Sequence, residues 1–355
     1  MNSMPKGGSS IILNGLFIDE VGKQSGSYFM AISVIQELLK IDKRYKLITT
    51  EKFEWAVGQS IIVPKFRKRY RFLFESFYRN VYRKSLWLHF DYFLPYQIPG
   101  SKKKNVTVIH DLLPLDIPSA VSVLKAKWFR HQVKRALMKS DSVITISEFC
   151  LKRFNAHFPA LSNDIKVIAN PINIERFSSL PDVENWNSEG DFFIAISAPW
   201  PHKNLRTLIN AVEKTFNERR IPLLICGTRS NLFADLKETE SYKFLGFQAD
   251  VDLGRAISNA KLVIAPSLYE GFGMTVYEAL AMGKFVLASN LEVYENLPNL
   301  IKVENPELSG SWESAITSFL DNPPEKQKLD ISHLHPKNVA EKYNEIIQKT
   351  EKLHV

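Results

Sequence analysis

Two glutamates, Glu270 and Glu278, bracket a glycine-rich turn that follows the short apolar run LVIAP. Gly271 and Gly273 can adopt backbone angles that other residues resist, so main-chain N–H groups at this turn can approach a phosphate closely. The N-terminus of the helix that follows favours negative charge. Carboxylates on either side suit the hydroxyls of a sugar and a ribose, which donate hydrogen bonds to them. The spacing predicts a site for a phosphate and a sugar, although a bare Gly-x-Gly is more often part of a surface loop.

Basic side chains follow two other apolar runs in the second half of the chain. Lys203 lies between FFIAIS and a helical pattern, and Arg229 follows PLLICG. A cation at either position could stabilise the negative charge of a phosphate, as a metal ion would. The alternatives are a solvated loop lysine and a surface arginine. Asp250 and Asp252 open a helical pattern, where acidic residues are common caps, so the sequence predicts no metal site.

Short apolar runs alternate with helical patterns along the whole chain, which is typical of parallel sheets covered on both faces. In such sheets ligands bind at the carboxyl ends of the strands. The predicted strands are SIILNGLF, YKLITT, NVTVIHDL, SVITIS, IKVIAN, FFIAISA, PLLICG, KFLGF, LVIAPS and FVLAS. The non-periodic stretch NPINIERFSSLPDVENWNSEGD predicts a domain boundary. We expect an α/β protein with two Rossmann-like domains, whose parallel sheets face each other across a cleft.

Composition sets further limits. The length of 355 residues suits two domains of ordinary size. Cys150 and Cys226 lie one in each half, which predicts buried thiols in a reducing compartment rather than a disulfide. No apolar run is long enough to span a bilayer, so we expect a cytoplasmic protein, soluble or peripheral on the inner face of the membrane. The first 170 residues carry 27 Lys and Arg against 13 Asp and Glu, which predicts an anionic partner for that half.

The most basic segment is KFRKRYRFLFESFYRNVYRK, residues 65–84, which contains eight basic residues, one acid and seven aromatics. Cations among aromatics suit an anionic membrane surface. A solvated helix whose aromatic stripe packs on the first domain is the main alternative, and a nucleic-acid surface is a third. We expect the membrane surface as a partner of this segment and no nucleic acid.

The string YEGFGMTVYEALAMGKFVLAS resembles the E-x7-E signature of the retaining glycosyltransferases of family 4, which have the GT-B fold. Phe285 stands where that family usually has proline. WPHKNLRTLINA, VIANPINIERF and ITISEFCLKRF resemble three further segments of the family. HDLLPLDIP resembles the H-D-L-x-P of mannosyl- and glucosyltransferases that build polysaccharides. The matches extend over roughly residues 10–345.

The resemblance implies roles for individual residues. Lys203 matches the family's diphosphate-binding lysine, while Glu270 would hold sugar hydroxyls and Glu278 the ribose. His110 would contact the donor sugar near its reactive carbon, and Asp111 would lie near the acceptor. Retention normally suggests a carboxylate nucleophile, but the family is thought to use front-face attack within an ion pair, and we predict no nucleophile. The implied catalytic set is His110, Asp111, Lys203 and Glu270. The implied donor-binding set is Gly26, Asn170, His202, Lys203, Arg229, Phe247, Gly271, Phe272, Gly273, Met274, Thr275 and Glu278.

Some of these residues have a purely structural alternative. Gly26 could simply begin a helix, and Asn170 could shape the turn before Pro171. His202 stands where the family more often has arginine, which weakens any bidentate contact with a phosphate. Ser147 lies between an apolar run and a helical pattern, which predicts an N-cap.

The resemblance thus implies a retaining, metal-independent hexosyltransferase that needs no cofactor. We expect UDP-glucose as the first donor to consider and GDP-mannose as the second, with a glycan or lipid-linked glycan as acceptor in polysaccharide biosynthesis. A non-catalytic nucleotide-sugar-binding protein and a GT-B sugar-nucleotide epimerase are the alternatives. The expected domains are an acceptor-side domain over 1–172, a nucleotide-sugar-binding domain over 173–337 and a helix over 338–355 that crosses back to the first domain.

Overall fold

The computed structural model describes residues 10–18, 25–67, 70–94, 104–162, 164–177, 191–229, 233–294 and 297–353. The chain divides into two compact units. The first unit comprises Met1–Pro171 and His333–Val355, and the second comprises Ile172–Ser332. The first crossing falls in the stretch predicted as the boundary, of which residues 178–190 lie outside the described residues.

The sheet of the first unit has seven parallel strands in the order β3-β2-β1-β4-β5-β6-β7. They are β1 Ile11–Asn14, β2 Tyr45–Thr49, β3 Ser60–Ile62, β4 Leu86–His89, β5 Asn105–Ile109, β6 Ser142–Thr145 and β7 Ile165–Val167. Every residue of β1, β4 and β5 is buried, as expected of central strands that helices cover on both faces.

Five helices accompany this sheet along the described part of the first 171 residues. They are α1 Gly26–Ile41, α2 Arg71–Val81, α3 Leu113–Asp116, α4 Val123–Lys139 and α5 Glu148–His157. Serine side chains begin three of them, because the hydroxyls of Ser25, Ser122 and Ser147 each accept a hydrogen bond from the N–H three residues later. The predicted N-cap role of Ser147 is therefore confirmed.

The second unit has a six-stranded parallel sheet in the order β10-β9-β8-β11-β12-β13. Its strands are β8 Phe193–Ile196, β9 Leu223–Cys226, β10 Tyr242–Gly246, β11 Leu262–Ala265, β12 Val286–Ser289 and β13 Leu300–Val303. Its helices are α6 Leu205–Arg219, α7 Asp250–Asn259, α8 Met274–Ala281 and α9 Ser309–Asp321. Trp312 of α9 lies fully buried in the core beside residues of α6, and its indole N–H donates to the carbonyl of Pro306 over 2.8 Å.

The last helix, α10 Pro336–Lys352, packs on α1 of the first unit. Its buried face carries Val339, Tyr343 and Ile347, which are spaced four residues apart. The Tyr45 hydroxyl donates to Asn344 Oδ1 over 2.7 Å, so the side chains of β2 and α10 are tied by a hydrogen bond as well.

The predicted α/β fold with two Rossmann-like domains is confirmed, but three strands were not predicted. β3 and β13 are short strands with partly exposed residues, and β4 places Trp87 and His89 in the middle of the sheet. The aliphatic run at β3 is only three residues long, Lys302 interrupts that of β13, and Trp87 separates the leucines of β4. Cys150 and Cys226 are buried thiols that form no disulfide, as expected, and burial raises the pKa of both to about 12.

Each sheet contains one position where the strand order reverses. In the first unit this position lies between β1 and β4, and in the second between β8 and β11. The helices after the two adjacent strands leave toward opposite faces at such a point, so the carboxyl ends border a crevice in which ligands bind. The loops after β8 and β11 are the two segments that the sequence identified around Lys203 and Glu270.

The close packing of the residues that follow β8 and β9 can be tested by substitution. Gly227 follows β9 with φ +135°, and a Cβ there would lie 1.9 Å from the carbonyl oxygen of Ser197, which follows β8. We expect Gly227→Ala to lower the free energy of unfolding by about 3 kcal/mol or more, because both the backbone angle and the contact are unfavourable. Gly310→Ala is the matched control, since nothing lies within 4 Å of a Cβ there. Equal unfolding midpoints for the two variants in urea would contradict the observed contact between the two strand ends.

Candidate functional site

An ion pair joins the two loops that border the reversal point of the second sheet. Lys203 ends the turn Pro201–Lys203 after β8, and Glu270 follows β11. Lys203 Nζ lies 2.6 Å from Glu270 Oε1, and both side chains stay about one fifth exposed at 22% and 20%. The N–H of Leu268 also donates to the carbonyl of His202 over 2.7 Å, which ties the backbones of the two loops together. The pair is therefore held in place by the main chain and open to solvent.

The glycine turn after Glu270 leads directly into α8. Gly273 has φ +86°, and a Cβ at this position would lie 2.4 Å from the ring of Tyr294, so only glycine fits. As the residue before the helix, Gly273 offers no side chain to cap it. The N–H groups of the first turn, at Met274 and Thr275, consequently have no acceptor from the cap residue, and an anion at the helix end could receive their hydrogen bonds.

Glu278, on α8, is nearly buried and forms an ion pair with Arg176. Arg176 Nη2 lies 2.9 Å from Glu278 Oε1, while Nη1 lies 2.8 Å from Asp250 Oδ1. The guanidinium also lies 4.3 Å from the centre of the Phe177 ring. Burial raises the pKa of Glu278 to about 7 against the opposing effect of Arg176. The carboxylate of Glu278, the candidate partner of the ribose, is thus held by a cation that lies 102 residues earlier in the chain.

Arg176 is the main residue that the sequence analysis did not single out. It lies inside the matched string VIANPINIERF, but nothing in the string indicates which residue it contacts. The capping role predicted for Asp250 is wrong, because Ala249 precedes the helix without a side-chain cap and Asp250 binds Arg176 instead. In the first turn its charge still favours the helix dipole.

His202 and Arg229 differ from the cations that the sequence suggested at these positions. Burial and the nearby Lys203 lower the pKa of His202 to about 4, so its imidazole is neutral at pH 7. Arg229 donates to the backbone carbonyls of Phe233 and Leu236, and its guanidinium lies 5.0 Å from the centre of the Phe244 ring. Neither side chain is presented as a free phosphate-binding cation.

The other predicted residues of the second unit lie on its loops. Phe247 follows β10 and is half exposed. Phe272 is buried in the glycine turn, and its ring stacks on that of Tyr277 with centroids 4.6 Å apart. Phe272 therefore anchors the turn to α8 rather than facing solvent. Within the described ranges of the chain, no group of three or more potential metal-ligating side chains occurs.

In the first unit, His110 and Asp111 follow β5. His110 Nε2 lies 2.8 Å from the carbonyl of Phe90, and the imidazole stacks on the Phe17 ring with centroids 6.1 Å apart. A carbonyl can only accept, so Nε2 carries the hydrogen and Nδ1 of the neutral ring is the acceptor. Burial lowers the pKa of His110, which favours this neutral form. Asp111 Oδ1 accepts from the N–H of Leu113 over 3.0 Å and so holds the turn that leads to α3.

Gly26 and Asn170 are the remaining predicted residues of the first unit. Gly26 is the exposed first residue of α1, directly after the cap residue Ser25. Asn170 is 5% exposed, and its Oδ1 has no hydrogen-bond partner in the described structure. A buried amide oxygen without a donor is costly, so the Asn170 side chain is the one of this pair with an acceptor that could still receive a hydrogen bond.

The sequences of known proteins agree with this arrangement. The family described as Glycosyl transferases group 1 matches residues 177–331, and the one described as Glycosyltransferase Family 4 matches residues 87–176. The O-antigen chain mannosyltransferase RfbU of Salmonella typhimurium is 28% identical over 229 residues, which is 62% of each chain. The O-antigen chain mannosyltransferase B of Escherichia coli is 24% identical over 263 residues, 66% of this chain and 67% of its own. The chain therefore spans less than two thirds of the length of the first of these relatives.

Solved structures show the same fold. Sucrose-phosphate synthase from Thermosynechococcus elongatus superposes with a TM-score of 0.70 at 16% identity, covering 98% of both chains. WaaG, described as a glycosyltransferase involved in lipopolysaccharide biosynthesis, gives a TM-score of 0.67 at 13% identity, covering 95% of both chains. Both sheets, the glycine turn between Glu270 and Glu278, and the two adjoining family matches over residues 87–331 lead to one assignment. The chain belongs to the glycosyltransferases of family 4 and has the GT-B fold.

Proposed function

We propose that the protein is a retaining, metal-independent glycosyltransferase that moves a hexose from a nucleotide diphosphate sugar to a glycan or lipid-linked glycan. The observation that carries this proposal is the Lys203–Glu270 pair beside the uncapped N-terminus of α8. A lysine and two or three N–H dipoles at one place supply the charge stabilisation that a leaving diphosphate needs. A metal ion is then not required for that task.

Each residue has a defined task in this proposal. Lys203 exchanges its contact with Glu270 for the diphosphate, and Glu270 is released to accept hydrogen bonds from sugar hydroxyls. Glu278, fixed by Arg176, accepts from the ribose hydroxyls. His110 contacts the sugar near its reactive carbon, and Asp111 lies near the acceptor. No residue serves as nucleophile, so retention results from attack on the face that the diphosphate leaves.

The identity of the nucleotide sugar is a separate part of the proposal. The sequence alone favoured UDP-glucose over GDP-mannose, whereas the relatives named above are mannosyltransferases of O-antigen chains. We therefore put GDP-mannose first and UDP-glucose second. The polysaccharide built by those relatives also supports an acceptor that is a glycan, free or lipid-linked.

Contact with an anionic membrane surface through residues 65–84, on the cytoplasmic face, remains part of the proposal, but on a different basis. Arg71 and Arg79 are buried and cannot face lipid, while Lys68 and Arg69 lie outside the described residues. Phe72, Leu73 and Phe77 of α2 are exposed. The support now comes from this apolar face and from the exposed Lys65, Arg67, Arg83 and Lys84 of the same segment. None of the helices described is long and apolar enough to cross a bilayer.

A nucleotide panel decides between donors and tests binding itself. A ligand at one hundred times its dissociation constant stabilises a protein by about 2.7 kcal/mol. We expect GDP and GDP-mannose to raise the unfolding temperature more than UDP and UDP-glucose do. The reverse order would restore the glucosyl donor. Sugar transfer only in the presence of acceptor separates the transferase from an epimerase, which needs none, and from a binding protein, which shows no turnover.

A further prediction concerns metal dependence. Since Lys203 and the N–H groups of α8 carry the leaving charge, transfer should continue at an unchanged rate in excess EDTA. Lys203→Met should lower kcat by about 100-fold or more, the usual loss for one electrostatic group at the reacting charge. The control is the wild-type enzyme with added Mg²⁺, which should be no faster. Loss of transfer in EDTA that Mg²⁺ or Mn²⁺ restores would refute the metal-free mechanism.

Glu278 gives another prediction. Its replacement in Glu278→Ala should weaken binding of the free nucleotide by about 1–3 kcal/mol, the range for a hydrogen bond to a charged group. The nucleotide needs the ionised carboxylate, and a proton competes for it with a pKa of about 7. Affinity should consequently fall as the pH drops below 7, by up to about tenfold per unit.

Glu278→Gln is the control for the pH dependence, because it keeps the shape and an acceptor oxygen but cannot titrate. The ratio of its dissociation constant to that of the wild type should be largest at pH 8 and shrink toward pH 5.5. Calorimetry with the nucleoside diphosphate measures both. A ratio of one at pH 8, in a folded variant, would remove Glu278 from the binding site.

A further inference from the structure

Helix α2 of the first unit presents its charged side to the protein interior. Arg71, Glu75 and Arg79 recur every fourth residue and are buried to 4% exposure or less. Phe72 and Phe77 of the same helix are exposed, Phe77 to 62%. Taking charges out of water costs several kcal/mol per ion, and apolar residues of similar volume are often at least as stabilising. Stability alone therefore does not explain this orientation of the helix.

The buried charges form contacts with the strand ends at the reversal point of the first sheet. Arg71 Nε lies 2.7 Å from Glu75 Oε1, and Arg71 Nη1 lies 2.9 Å from Asp91 Oδ2. Glu75 Oε1 also accepts from Asn14 Nδ2, at the end of β1, over 2.8 Å. Arg71 is thus held by carboxylates on two sides, one from its own helix and one from the loop after β4.

Arg71 lies next to both of the groups that contact the His110 imidazole. Its guanidinium lies 5.8 Å from the centre of the Phe17 ring, on which the His110 imidazole stacks. Its partner Asp91 directly follows Phe90, whose carbonyl binds His110 Nε2. One guanidinium therefore restrains the ring that packs on the imidazole and the peptide that fixes its hydrogen.

We propose that Arg71, held by Glu75 and Asp91, is the positioning residue that keeps His110 in one orientation and one tautomer. The role of His110 near the sugar rests on the proposed function. The contacts that fix its orientation do not depend on that function. Only the Nε2–H tautomer can donate to the carbonyl of Phe90, and it leaves Nδ1 as the acceptor. If Phe17 and the Phe90–Asp91 segment shift, both the hydrogen bond and the stacking are lost together.

Arg71→Lys is the informative substitution, because it keeps the charge and removes the fork that binds Glu75 and Asp91 at once. Arg79→Lys is its matched control. Arg79 is equally buried on the same face of α2, but it contacts His89, Asn105 and the ring of Trp87 instead of the groups around His110. Both variants should lose stability, so stability does not separate them.

The readout is the tautomer of His110. In protein labelled with ¹⁵N-histidine, the ring signals of His110 are identified by their loss in His110→Gln. We expect one tautomer, Nε2–H, in the wild type and in Arg79→Lys, and a mixture or fast ring exchange in Arg71→Lys. In the transfer assay Arg71→Lys should lower kcat by about tenfold or more with the donor KM nearly unchanged, since misplaced groups cost rate rather than binding.

A single Nε2–H tautomer in folded Arg71→Lys overturns the proposal. A tautomer mixture in Arg79→Lys as large as that in Arg71→Lys overturns it too. If Arg71→Lys does not fold, Asp91→Asn decides, because it keeps the shape of the loop and removes the charge that Arg71 binds. The same tautomer mixture is expected there, and an unchanged wild-type spectrum contradicts the proposal. The spectra need no substrate, so failure of the transferase assignment would leave this test intact.

Discussion

Both units depend on the constraint that all of their strands run parallel, so that every strand ends at the same edge of its sheet. The residues that follow the strands are thereby brought together at this edge, although they are far apart in sequence. At each reversal of strand order a polar pair bridges the two neighbouring strand ends. In the second unit it is Lys203 with Glu270, and in the first Asn14 contacts His89 over 3.1 Å.

Features that one short segment determines could be predicted from the sequence. The glycine turn, the helix after it and the position of Lys203 at a strand end follow from local backbone preferences and from apolar runs. The partner of Glu278 could not be predicted, because Arg176 is a single cation in a stretch that reads as a linker, and only the folded second unit brings the two together. The same holds for Arg229, which has acceptors in its own loop that a list of cations does not reveal.

Helix α2 illustrates what the composition of residues 65–84 leaves open. Charged and aromatic residues both recur with a helical period there, so the pattern predicts a two-sided helix but not which side is buried. The answer depends on two partners from separate strand ends, because Asn14 donates a hydrogen bond to Glu75 and Asp91 pairs with Arg71. Of the aromatic residues, Phe72 and Phe77 are exposed, whereas Tyr78 and Tyr82 pack against the core. A basic sequence thus contributes fewer surface cations than its count suggests, and it places two arginines where they order the interior.

The path of the chain also has a consequence for synthesis. The second unit is one uninterrupted segment, whereas the first is assembled from the beginning of the chain and from His333–Val355. All of the second unit is therefore translated before α10, whereas α1 and β2 are translated first and still await it. Until that helix emerges, the apolar surface that will receive Val339, Tyr343 and Ile347 is open to water and to chaperones.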